Sequence, residues 1–226
     1  MPGAPTHHQI EHLEDFTKHE WCRVLLSDPS ITKITKRSMP NPEVSNSLFV
    51  QTLFTEDAVR AFLSMFRPGR VREKSIADAE VAGDALIWAT QNDGDEGISG
   101  QEPRAQDNQA DLDEPESLIL VSVGSGVDGG KHRLHGGLIA TLLDQVMGLL
   151  INYLHGNTSA TAELTVKYKR VVTTPAVLLC RGRIVREAGR WTEVMGWIED
   201  GSGGVYAEGS GAFVKSKVNN GVQAKI

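Results

Sequence analysis

The sequence predicts an α+β fold in which one long buried helix is covered by an antiparallel sheet. Three observations carry this reading. Residues 138–154 are good helix formers without proline and are apolar on nearly every face, so a helix there is buried all round rather than amphipathic. Four strand patterns follow that helix, at 161–170, 176–187, 191–199 and 204–215. Their connections are tight, with Ala188-Gly189-Arg190 and Asp200-Gly201-Ser202-Gly203 reading as hairpin turns. A sheet with one apolar face must cover that face, and the buried helix is the available cover.

Taken in order, residues 9–27 read as a helix with Ile10, Leu13, Phe16, Trp21, Val24, Leu25 and Leu26 as its apolar stripe, ended by Asp28-Pro29. Residues 30–46 are polar, contain Pro40 and Pro42, and read as a surface loop. Residues 47–54 are a candidate strand. Thr55 then resembles an N-cap, with Glu56 and Asp57 in the first turn of a helix through Phe66. Arg67-Pro68-Gly69 stops it, and residues 70–90 suggest a helical piece followed by the apolar run 85–89. From 91 to 114 there are eight acidic residues, one arginine (Arg104) and almost no apolar side chains. Such a segment cannot bury enough surface to offset its ordering entropy, which predicts a mobile acidic insertion. Residues 117–123 read as a strand, and glycines and polar residues lead from it to His135. In 161–170 the alternation puts Ala162, Leu164, Val166 and Tyr168 on one face and Glu163, Thr165, Lys167 and Lys169 on the other. The predicted organisation is an N-terminal extension (1–90), helical with one strand, the acidic insertion (91–114), the main domain (115–217) and a loose tail (218–226).

A net charge of −6 gives no electrostatic reason to expect nucleic acid or an anionic membrane as partner. The apolar run is short for a membrane span, and Asp144 near its middle argues further against one. Two cysteines, Cys22 and Cys180, do not make a disulfide framework, which fits a reducing compartment. The N-terminus lacks the basic and apolar regions of a secretory signal, so a cytoplasmic location is expected. The terminal Ala224-Lys225-Ile226 is a loose relative of the peroxisomal address, which leaves a peroxisomal location as the alternative.

Gly124-Ser125-Gly126-Val127-Asp128-Gly129 fits the G-x-G-x-x-G pattern, but residues 131–134 separate it from the helix and the later strands lack helical crossovers, so nucleotide binding is rejected. The histidines include His7, His8, His12 and His19; His12 and His19 are not at the close helical spacings of a metal pair, no His-Cys cluster has zinc spacing, and no metal site is expected. No serine sits in a G-x-S-x-G elbow. What remains is Gly136-Gly137 at the helix start, together with Asp144 inside it. The first amides of a helix have no internal partner and face the positive end of the dipole, which suits a developing negative charge. A carboxylate in an apolar helix is costly unless paired or functional. Two readings stay open: a close-packing glycine pair with a satisfied carboxylate, or an oxyanion site with a base. Asp144 lies about 10 Å along the axis from Gly137, too far for one substrate atom to touch both on one helix. If both act together, a second copy of the helix must contribute.

His135-Gly136-Gly137, Asp144, the run Thr-Ala-Glu-Leu-Thr-Val-Lys-Tyr at 161–168 and Gly189-Arg190 together resemble the hotdog-fold acyl-CoA thioesterases. The nearest branch is the phenylacetate-pathway group, in the form with an N-terminal extension found in fungi, and the resemblance covers about 117–215. It implies a central helix wrapped by a curved antiparallel sheet, a homodimer or dimer of dimers, and thioester hydrolysis with no cofactor beyond the CoA or phosphopantetheine carried by the substrate. The implied roles follow the motif. The Gly136 amide polarises the thioester carbonyl within the His135-Gly136-Gly137 helix start. Asp144 of the partner subunit acts as general base or nucleophile, and the Thr161 hydroxyl helps hold the water. Lys169, Arg170, Arg186 and Arg190, with Gly189 beside them, are the implied contacts for the phosphates of CoA. One departure is that relatives often carry Asn or Gln shortly before the histidine, where this chain has Asp128-Gly129-Gly130-Lys131-His132. The expected partners are an acyl-CoA or an acyl-carrier protein, releasing a fatty-acyl or polyketide chain. The alternative is a hotdog protein that binds an acyl thioester without turnover or regulates a partner through its extension. A dehydratase is disfavoured, because those sites pair an Asp with a catalytic His in a different motif.

Overall fold

The computed structural model describes residues 11–36, 47–69, 114–156 and 159–215. In chain order these form α1 (Glu14–Thr17), α2 (Glu20–Leu26), β1 (Lys33–Lys36), a π-helical turn (Leu48–Leu53), β2 (Val59–Arg67) and β3 (Glu116–Val123). After a 3-10 turn (Ser125–Val127) come β4 (Asp128–Gly130), β5 (Arg133–Leu134), α3 (Gly136–His155), β6 (Ser159–Tyr168), β7 (Ala176–Ala188), β8 (Trp191–Glu199) and β9 (Val205–Lys215). Seven strands form one sheet in the order β1-β2-β3-β7-β8-β9-β6, with every neighbouring pair antiparallel. α3 packs against β3, β6, β7, β8 and β9. A long helix wrapped by an antiparallel sheet is the hotdog fold.

The helix is held by its apolar surface. Leu142, Leu143, Val146, Met147, Leu150 and Ile151 are completely buried, and each such side chain contributes roughly 1.5–3 kcal/mol on leaving water. The sheet comes close because glycines stand under the helix. A Cβ at Gly196 would lie 3.2 Å from Leu143, and one at Gly209 would lie 3.1 Å from it. Ser117 on β3 adds a polar tie, its buried hydroxyl donating to the Val146 carbonyl at 2.7 Å. α3 ends on Gly156, whose φ of +58° favours glycine and whose N–H reaches the Asn152 carbonyl at 2.8 Å. At 20 residues the helix is longer than the apolar run read from the sequence, and by length and composition alone it could cross a membrane. In this fold it is the core helix of the sheet.

The opposite face of the sheet is also covered. Phe16 of α1 and Cys22 of α2 pack with Ala61, Leu63 and Met65 of β2 and with Leu118 and Leu120 of β3. The expected single helix over 9–27 is two short helices instead. His19 is extended (φ −106°, ψ 127°), and this one residue resets the phase so that Phe16 and Cys22, six residues apart, reach one sheet face. Val24, placed on the predicted stripe, is exposed.

Three further expectations for the N-terminal region are corrected. Residues 33–36, expected in a loop, form the edge strand β1, fully exposed and so without an apolar signal. Residues 47–54, expected as a strand, hold the π-helical turn, with the Phe54 N–H donating to the Phe49 carbonyl at 2.8 Å. This spacing sets Phe49 and Phe54 side by side against Phe62, at ring distances of 5.6–5.9 Å. The helix expected from 55 to 66 is β2. Thr55 does cap a turn, accepting from the Ala58 N–H at 3.0 Å, but the chain then runs straight, buried on both faces. β1 and β2 belong to the same sheet as β3 and β6 to β9, so the described part of the 1–90 extension is built into it. The expected helical piece and apolar run at 70–90, the acidic insertion up to 113 and the tail 218–226 with Ala224-Lys225-Ile226 lie outside the described residues.

Candidate active site

The start of α3 is ordered by His135. Its backbone is extended (φ −65°, ψ 130°) and its Nδ1 accepts from the Gly137 N–H at 2.9 Å. This makes His135 an N-cap through a ring nitrogen, which requires the ring proton on Nε2. The His135 carbonyl takes the next two amides, from Leu138 at 3.0 Å and Ile139 at 3.3 Å. Of the four free amides at a helix start, three therefore have partners. The Gly136 N–H has none among the described residues.

That amide borders a cleft of about 470 Å³ lined by Gly129, Arg133, His135, Gly136, Tyr168 and Arg170, among others. Tyr168 ends β6, and its hydroxyl donates to the Gly136 carbonyl at 3.0 Å. The helix dipole and three cations, Arg133, Lys169 and Arg170, bias the cleft toward anions. Two of those cations are already engaged. Lys169 pairs with Glu208 at 2.7 Å. Arg170 pairs with Asp200 at 3.0 Å, donates to the Val205 carbonyl at 3.0 Å and lies over the Tyr206 ring. Partial burial pushes the Asp200 carboxyl up, but the Arg170 guanidinium and the amides of Ser202 and Gly204 outweigh it and hold Asp200 well below the usual carboxylate range. Arg133 has no side-chain partner among the described residues. It is a cation that the sequence reading missed, because an arginine in a short polar connection carries no pattern.

Asp144 stands eight residues beyond Gly136, about 12 Å along the axis. It is half-buried, and its Oδ1 accepts from the Thr161 hydroxyl at 2.7 Å. A bulge in β6 makes this contact. Between Thr161 and Glu163 the register shifts, so Thr161 pairs with Phe213 and Glu163 with Ala212. Ala162 is the extra residue, and it turns Thr161 onto the helix-facing side with Leu164 and Val166. Uninterrupted alternation would have left Thr161 facing away from Asp144.

The remaining residues of interest sit elsewhere in the chain. Arg186 forms a two-point pair with Glu193 across the β7–β8 hairpin, at 2.7 and 3.3 Å. Gly189 makes the turn of that hairpin with φ +60°. Arg190 donates to the Lys215 carbonyl at 2.8 Å. The hairpin meets the far end of α3, where Glu187 bonds His155 at 2.7 Å. Within the chain the structure thus joins His135, Gly136 and Gly137 with Lys169 and Arg170 at one end. It joins Asp144 with Thr161 further along, and keeps Arg186, Gly189 and Arg190 apart from the Gly136 cleft. Asp128, in the stretch before His135, accepts from the Thr174 hydroxyl and from the His132 N–H.

Residues 132–207, which span β5, α3 and β6 to β8, match the family model described as the Thioesterase superfamily. No curated protein matches the chain. Three similar solved structures are of bacterial proteins. A Bacillus halodurans protein crystallised with CoA is 28% identical over 44% of this chain and 66% of its own, with a TM-score of 0.41. A hypothetical thioesterase of Streptococcus pneumoniae with coenzyme A is 20% identical over 45% and 81%, with a TM-score of 0.43. A phenylacetic acid degradation-related protein of Ralstonia eutropha, described as a putative thioesterase, is 18% identical over 44% and 75%, with a TM-score of 0.41.

Proposed function

We propose that the protein hydrolyses an acyl thioester, carried on CoA or on the phosphopantetheine of a carrier protein, at a site shared by two copies of the chain. The observation that carries this is the Gly136 N–H, which alone among the α3-start amides has no partner among the described residues and opens on a cation-rimmed cleft within the segment that matches the thioesterase superfamily. The thioester carbonyl oxygen accepts from that amide, which stabilises the negative charge that develops as water adds to the carbonyl carbon. Asp144 takes the proton from the attacking water. Thr161 occupies Oδ1 and leaves Oδ2 for the water. The carbon–sulfur bond then breaks, the acid leaves, and the proton goes to the thiolate.

Sharing the site reconciles the two groups. β6 is an edge strand, paired only with β9 among the described residues and exposed over most of its length. Thr161 and Tyr168 mark its two ends, beside Asp144 and Gly136 respectively. With Ala162 bulged out of the register, antiparallel pairing of two β6 strands about a two-fold axis at Thr165 sets Thr161 opposite the partner's Tyr168. One carboxylate then faces the other helix start. The phosphates of the substrate arm fall to Arg133, which has no side-chain partner among the described residues, ahead of Lys169 and Arg170, whose charges are already answered.

The test is thiol release by the purified protein over acyl-CoAs of graded length, aryl thioesters and an acyl-carrier protein. We expect turnover of at least one class, and for Asp144→Ala a loss in kcat of about 100-fold or more. Tight acyl-CoA binding with no thiol released would replace hydrolysis by the binding reading.

A further inference from the structure

We propose that Tyr168 is a positioning residue for the oxyanion donor, its hydroxyl holding the Gly136–Gly137 peptide so that the Gly136 N–H stays aimed into the cleft. The proposal rests on the thioesterase reading of that cleft.

Two consecutive glycines begin α3, and glycine has the freest backbone of any residue. A donor carried on such a segment stabilises a transition state only if something else fixes its direction. The Gly136 N–H lies in the preceding peptide, whose His135 carbonyl accepts from Leu138 and Ile139, and the peptide on the other side of the donor's Cα, linking Gly136 to Gly137, is held at both ends. Its N–H donates to His135 Nδ1 at 2.9 Å and its carbonyl accepts from Tyr168 at 3.0 Å. The first tie is local, from the adjacent N-cap. The second comes from β6, 32 residues away in sequence, and it references the helix start to the sheet.

The Tyr168 ring reinforces the tie. A Cβ at Gly136 would meet the ring 3.4 Å away, so no side chain separates the phenol from the helix start. Tyr168 as a whole is 56% exposed, so it contributes little to the core. Its hydroxyl bond should therefore matter little to global stability, since an exposed hydrogen bond of this type is modest in net terms. Its effect on a preorganised donor is large by comparison, because the donor acts through its direction. Tyr168 need not touch the substrate for this role.

The experiment is Tyr168→Phe, which keeps the ring and removes the hydroxyl. On the best thioester substrate we expect kcat to fall about tenfold or more while KM stays within about twofold, because the donor is misdirected in the transition state and the ground-state contacts remain. The melting temperature should stay within about 2 °C of the wild type. A thioether analogue of the substrate, which lacks the carbonyl, should bind both proteins equally. An active wild type with unchanged kcat in Tyr168→Phe would overturn this proposal alone. So would a loss of kcat accompanied by a clear fall in melting temperature, which would place the hydroxyl in the fold. A wild type that releases no thiol from any substrate would overturn the thioesterase reading and this proposal with it.

Discussion

At the scale of single residues, His135 joins stability to chemistry. It caps α3 and so removes the Gly137 N–H from the set of free donors. His135→Ala is expected to lower stability by about 1 kcal/mol, the usual worth of an N-cap, and His135→Asn to keep most of it. Urea denaturation of the three proteins side by side measures the difference. A second residue, Asp15, ties α1 to the sheet. Burial pushes its carboxyl up, but hydrogen bonds from Arg60 (2.9 Å), Lys18 (2.9 Å) and Ser122 (2.7 Å) outweigh it and hold it far below its ordinary value of 3.8. A carboxyl lowered on folding contributes stability that is complete above its ordinary value and is lost as the pH falls below it. Asp15→Asn should therefore lower the melting temperature at pH 7 and narrow the gap to the wild type as the pH approaches 2. A gap that stays constant across that range would show that the ionised form contributes nothing.

At the scale of elements, the clearest cluster outside the cleft binds three strands together. Glu116 of β3 is fully buried, and its carboxylate receives Arg67 of β2 at 2.5 Å, Arg181 of β7 at 2.7 Å and Arg183 of β7 at 3.0 Å. Arg67 also reaches Asp28 beyond α2, at 2.7 Å. Removing the central anion leaves buried cations facing one another, so Glu116→Ala should cost about 3–5 kcal/mol, read as a lowered denaturation midpoint. A cost below about 1 kcal/mol would mean that water replaces the carboxylate freely. The sequence reading reached the elements whose periodicity is simple. α3 and the last four strands were placed within about two residues, because each is either apolar all round or covered on one inward face. β2 was read as a helix because both of its faces are buried, the inner by the α3 core through Val59 and Phe62 and the outer by α1 and α2 through Ala61, Leu63 and Met65. A bulge between Val59 and Ala61 shifts the phase as well, so no period-2 signal survives. Of the residues of the proposed site, Gly136 and Asp144 are legible from the helix start and the lone carboxylate. The turn of Thr161 onto Asp144 is not, because a bulge leaves no mark in composition. Tyr168 was placed on the correct face, but its bond to Gly136 depends on where α3 starts relative to the end of β6.

At the scale of the whole molecule, the proposed mechanism needs two chains. The Gly136 amide and the Asp144 carboxylate are separated by about 12 Å along one helix, whereas a carbonyl carbon and its attacking water must approach to about 3–3.5 Å. One helix cannot put both groups around that centre, and two antiparallel copies can. Complementation tests this. Asp144→Ala removes the carboxylate and leaves the amide. Gly136→Pro removes the amide and leaves the carboxylate. Proline suits this position, since Gly136 is the first residue of α3, where the N–H has no helical partner and φ near −65° is already required. His135 before it has ψ 130°, inside the range proline imposes on its predecessor. Each variant alone should be inactive and dimeric. Mixed and allowed to exchange subunits, they should recover activity, because each mixed dimer holds one site built from the amide of one chain and the carboxylate of the other. At equal concentrations half of the dimers are mixed and each has one working site of two, so recovery should approach a quarter of the wild-type rate. Demonstrated exchange with no recovered activity would refute the shared site, and so would a fully active monomer.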